Sequence, residues 1–126
     1  MATRRVEDMI ERVIDIEAMT PGRTIISDLE KASKVMLAHQ GLSSLLDEAA
    51  SHTDNMLAQA SSCNREDVGD ALDSLEYIAR LYGVVVLTVG KWDLPARKLT
   101  DLLIAQTKED LLETLYKTCG CGSRKK

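Results

Sequence analysis

Gly83-Val84-Val85-Val86-Leu87-Thr88-Val89-Gly90 is the stretch on which the fold turns. Its mostly β-branched run between two glycines reads as a strand by intrinsic propensity. No second strand candidate occurs in the chain, however, and one strand by itself leaves its backbone donors and acceptors without partners. Backbone accounting therefore favours a buried helix, continuing through Gly83 with a bend, and an all-α chain.

The flanks agree. Upstream, Val68, Ala71, Leu72, Leu75, Ile78, Ala79 and Tyr82 recur at helical spacing, with Asp70, Asp73, Glu76 and Arg80 mostly on the opposite side. Asn64 is placed to cap this helix, and Glu66 and Asp67 suit its positive N-terminal end. Downstream, Lys91-Trp92-Asp93-Leu94 reads as a short connection, with Pro95 in the first turn of the next helix. Leu99, Leu102 and Leu103 form that helix's apolar edge. Leu111, Leu112 and Leu115 fall out of phase with it, and Thr107 stands three residues before Asp110 like a cap. Two helices meeting near Thr107 are predicted.

Further out, helical periodicity covers about residues 4–19 and ends at Thr20-Pro21-Gly22. A second helix is expected to start at Ser27, whose spacing to Glu30 is that of a capping box, and to stop at Gly41. A third covers about residues 43–61, with the stripe Leu45, Leu46, Ala49, Thr53, Met56, Leu57 and Ala60. The expectation is one compact all-α domain of six or seven helices packed roughly antiparallel. Residues 1–20 form an amphipathic helix, 21–122 the body and 123–126 a disordered basic tail.

Composition supports a single globular core. The 126 residues are 44% hydrophobic and 29% charged, with three Tyr, one Trp and no Phe, so Leu, Val, Ile, Met and Ala must fill the interior. No apolar run approaches the ~20 residues of a membrane span, and no secretory signal precedes the first charges. Cys63, Cys119 and Cys121 are an odd number in such a chain. Their pattern suggests a reducing, cytoplasmic setting and no disulfide framework.

Charge is uneven. Residues 1–90 carry eight Lys/Arg against fifteen Asp/Glu, and residues 91–126 carry eight against five. The acidic body disfavours indiscriminate nucleic-acid binding. The basic end supplies an alternative surface for it: Lys91, Arg97, Lys98, Arg124, Lys125 and Lys126, with Trp92 to stack on a base.

Catalytic motifs are scarce. The glycines are scattered, so no phosphate-cradling loop can be built, and no nucleophile elbow is present. His39 and His52 lack the i, i+4 partner of a zinc-binding helix and read as boundary residues. Cys119-x-Cys121 has neither the usual metal spacing nor a second pair.

One pairing of acidic segments stands out. Leu46-Asp47-Glu48-Ala49-Ala50-Ser51 and Glu66-Asp67-Val68-Gly69-Asp70 resemble the paired E-E-x-x-E and E-x-x-D helices of the all-α nucleotide pyrophosphatases, the MazG and phosphoribosyl-ATP pyrophosphohydrolase group. The resemblance covers about residues 45–83. It implies Mg²⁺ held by Glu48, Asp67 and Asp70, gripping nucleotide phosphates. Ser51 stands where that family has its last Glu, and Asp47 and Asp67 where it has Glu.

The principal expectation is non-catalytic: a helical adaptor or assembly protein, without a cofactor, contacting a partner protein or a second copy of itself. Val6, Met9, Val13 and Ile16 are spaced three and four apart on the first helix and form a narrow seam. That helix either projects to pair with a partner or packs back on the domain.

Overall fold

The computed structural model describes residues 2–19, 25–89 and 93–119, with side chains from residue 6 onward. Five helices occupy them: α1 (Ala2–Met19), α2 (Ile26–Ala38), α3 (Gln40–Ser61), α4 (Arg65–Val89) and α5 (Leu94–Cys119). The Val-rich run is the last part of α4, which passes through Gly83 without a break. Val85 and Val89, four apart, are wholly buried, whereas Val84 and Leu87 are exposed. The pattern has the helical period, and Thr88 returns its hydroxyl to the Val84 carbonyl at 2.9 Å. Burial on one face overrides the β propensity of the side chains.

Three expectations are corrected. The chain makes five helices, not six or seven, because α5 runs unbroken through Thr107. Thr107 is buried in the stripe Ala96, Leu99, Leu103, Thr107, Leu111. Its hydroxyl donates to the Leu103 carbonyl at 2.8 Å instead of capping a new helix. Second, α2 begins at Ile26, and the residue before it, Ile25, makes no side-chain cap, so the Ser27–Glu30 box is not formed. Third, Gly41 lies inside α3, and His39 divides α2 from α3. His39 takes extended backbone, and its Nδ1 accepts the Leu42 amide at 3.3 Å, so the imidazole serves as the N-cap. Asn64 caps α4 as expected, its Oδ1 accepting the Glu66 amide at 2.8 Å. Asp93 does the same for α5 through the Ala96 amide at 2.8 Å.

The helices form three layers. α3 and α5 touch each other at the centre, α1 and α2 lie across one side of them, and α4 covers the other. Among the described residues α4 meets only α3 and α5, and its packing on α3 is the most extensive in the molecule. The Asp93 amide donates to the Val89 carbonyl at 2.8 Å, joining the start of α5 to the end of α4.

Small residues set the spacing. Ala49, Ala50, Ala60, Ala71 and Ala96 have no exposed surface, which lets the helix axes approach closely. Thr53, Thr100 and Thr107 fill similar positions, each satisfied by its own helix four residues back at 2.8 Å. Tyr82 is the buried aromatic residue among those described, hydrogen-bonded to Thr107 across the α4–α5 contact. Burial pushes its hydroxyl pKa up to about 12 against the smaller lowering effect of that bond. None of the five helices, within the described residues, is long and apolar enough to cross a membrane.

Candidate functional site

α1 packs back on the domain, against α2, α3 and α5. Val6 and Val13 of its seam are buried, Met9 is partly buried against the core, and Ile16 keeps 37% of its surface exposed. α1 and α5 run antiparallel: Arg12 lies beside Asp110, whereas Ile16 and Glu17 lie beside Leu102. The Arg12 guanidinium donates through both terminal nitrogens to the two Asp110 oxygens at 2.8 Å. Gln106 donates to Asp110 at 3.0 Å. The hydrogen bond to Asp110 raises the Arg12 pKa further above its ordinary value, outweighing partial burial, with added help from the Asp110 and Glu113 charges.

Near this clasp lies a groove of about 230 Å³ between the two helices. Its apolar lining is Val13 and Ile16 from α1 with Leu102 and Ala105 from α5, and Glu17 and Glu109 stand at its rim. On α5 the residues Leu102, Ala105, Glu109, Leu112 and Tyr116 repeat at intervals of three and four, so they lie in one row. Leu112 is 52% and Tyr116 56% exposed, extending the row beyond the groove. The sequence reading missed this row because it divided α5 at Thr107. The spacing itself is legible in the sequence once the helix is continuous.

A larger cleft, about 560 Å³, separates α1 from α2. Its rim is formed by Glu7, Glu11, Asp15 and Glu30 opposed by Lys34, and its floor residues Ile10 and Ile14 are already buried. Its lining is as polar as it is apolar, whereas that of the α1–α5 groove is mostly apolar.

The other predicted residues are not brought together. Arg97 and Lys98 are exposed on the first turns of α5, while Lys91, Trp92, Arg124, Lys125 and Lys126, with the basic tail, lie outside the described residues. Glu48 is engaged elsewhere than with Asp67 and Asp70: the Tyr77 hydroxyl donates to its Oε2 at 2.6 Å, and His52 Nε2 lies 3.9 Å from the same atom. The His52 ring meets Tyr77 edge-on at 4.7 Å. That hydrogen bond, then desolvation and the Glu48 charge, raise the Tyr77 pKa. Asp67 sits in the first turn of α4 with its amide on Asn64, and Asp70 is exposed. Among the described residues no group of three His, Cys, Asp or Glu is placed to hold a metal ion.

The thiols differ from expectation. Cys63, just past the end of α3, and Cys119, the last residue of α5, are joined in a disulfide. An odd count concealed a pair that only the fold brings together. Cys121 lies outside the described residues.

Comparisons with protein-family models, with curated proteins and with solved structures find no match to this chain.

Proposed function

We propose that this chain is a non-catalytic helical interaction protein that docks an amphipathic helix, from a second copy of itself or from a partner protein, along the α1–α5 groove. The observation that carries the reading is the apolar trough of Val13, Ile16, Leu102 and Ala105, whose α5 row continues beyond it through the exposed Leu112 and Tyr116. A docked helix reads such a row through side chains at i, i+3, i+4 and i+7, the same interval that built it. Two features of the sequence seam survive in this proposal: Val13 forms the floor and Ile16 the exposed edge. Val6 and Met9 support α1 from within the domain.

A charge placed at the edge of the trough, or on the row that continues it, tests the reading. Leu112→Asp and Ile16→Asp are expected to weaken self-association, measured by sedimentation velocity, or retention of a partner from a native extract, by at least ~30-fold. Circular dichroism checks that both variants keep their helices. Unchanged sedimentation together with an unchanged partner set would remove the groove from the function.

A further inference from the structure

We propose that the Cys63–Cys119 disulfide is a thiol–disulfide exchange site, open to a low-molecular-weight thiol at Cys63, and that its opening releases the last turn of α5. The bond ties the corner between α3 and α4 to the end of α5, across 56 residues of sequence. Its two ends differ in access: Cys63 is exposed and Cys119 only partly so. Attack at a disulfide goes to the sulfur the thiolate can reach, and here that is the Cys63 Sγ.

The step balances without an oxidant. An incoming thiolate forms a bond to the Cys63 Sγ, the bond between the two cysteine sulfurs breaks, and its electron pair leaves on the Cys119 Sγ, which takes a proton from water. The products are a mixed disulfide at Cys63 and a thiol at Cys119. The leaving sulfur has an acceptor in place, because the Ala60 carbonyl oxygen lies 3.3 Å from it. A protonated Cys119 can therefore donate its S–H there without rearrangement.

Cys63 is also held in an uncommon backbone conformation, with φ at 60°. That left-handed residue follows the end of α3, and its amide donates to the Ala60 carbonyl at 3.3 Å. A non-glycine residue so placed is presented by a helix-ending turn rather than by a loose loop, and such outliers concentrate where a site is used.

The effect on α5 follows from what else holds its end. Leu111 is the last wholly buried residue of the helix, and beyond it Leu115 is packed only partly against the core. Glu113, Tyr116, Lys117 and Thr118 are exposed or nearly so. Once the disulfide opens, the final turn depends on Leu115, and a helix end with so few buried contacts frays. Tyr116 belongs to that turn, so opening the bond removes one end of the docking row. This consequence rests on the groove reading, whereas the exchange chemistry does not.

The test uses the full chain and its Cys121→Ser variant in buffers of reduced and oxidised glutathione, with acid quenching, alkylation and peptide mass spectrometry. The expected product in both proteins carries glutathione on Cys63 and an alkylated Cys119. Amide exchange over residues 113–119 should then accelerate at least ~10-fold relative to the oxidised chain, with the buried half of α4 unchanged. Glutathione found on Cys119 instead, loss of the Cys63 adduct in Cys121→Ser, or unaltered protection of residues 113–119 after opening would each overturn the proposal. If exchange and fraying occur while association persists, the exchange site stands and the groove reading is what fails.

Discussion

The outer face of α4 and the trough between α1 and α5 expose similar side chains in different shapes. Val84 and Leu87 stand on the outward ridge of one helix, Leu87 with 73% of its surface exposed. Ile16 and Leu102 flank a depression between two helices, and Leu112 and Tyr116 continue its α5 wall beyond it. A ridge can touch a partner only along its crest, whereas a trough surrounds the partner's side chains and excludes water from them. Exposed apolar residues scattered along a helix are ordinary, and their count is a poor guide to function. Concavity distinguishes the two faces, and it arises because α1 and α5 are both needed to make it.

The largest effect that probes this contrast lies within α4. Ile78→Ala, at a position almost wholly buried, is expected to lower unfolding stability in urea by ~2–5 kcal/mol. Leu87→Ala on the ridge should stay within about 0.5 kcal/mol. Equal losses at the two positions would mean that the ridge is covered in solution, and the contrast would collapse.

Tyr82 tests whether the α4–α5 contact is dry. Its hydroxyl ionises near 10 when exposed and at about 12 in the fold. The folded state therefore holds the proton where the unfolded state has lost it. Stability is unaffected by this group below pH ~10 and falls as pH rises from there toward ~12, by about 2–3 kcal/mol in total. Urea unfolding across that range should show the decline, and Tyr82→Phe should flatten it. An equally steep alkaline decline in the variant would place water around the native hydroxyl.

The smallest effect belongs to the clasp at the groove. Arg12 is half exposed and Asp110 mostly covered, and their paired hydrogen bonds favour the upper end of the range for surface ion pairs. A double-mutant cycle through Arg12→Met and Asp110→Asn should return ~0.5–1 kcal/mol, shrinking with added salt. A salt-insensitive coupling above ~2 kcal/mol would mean that this side is sealed, sharpening the difference between the two faces in the opposite sense.

Some of this was legible residue by residue. Asn64 announced its cap, and the stripe ending in Tyr82 announced most of the buried side of α4, because both signals are local or periodic; Leu72 of that stripe is exposed. The split proposed at Thr107 failed for a physical reason. A threonine interrupts an apolar stripe on paper, but in a helix it returns its hydroxyl to its own backbone and packs as a small side chain. The His39 cap was not legible for a related reason: a histidine is not among the usual capping residues, and only the local geometry turns its Nδ1 toward the Leu42 amide.

The sequence by itself determined that the chain is helical, that its core is aliphatic and where some helices begin and end, as at Asn64. Those properties depend on side-chain type, period and short-range hydrogen bonding, all of which act within a few residues. The tertiary structure alone decided that the α1 seam turns inward at Val6 and Val13 while Ile16 stays at an edge, and that Cys63 meets Cys119. It also decided that two modest stripes enclose a trough. Each of these depends on which faces of distant helices come together, and no local pattern encodes the angle at which one helix crosses another.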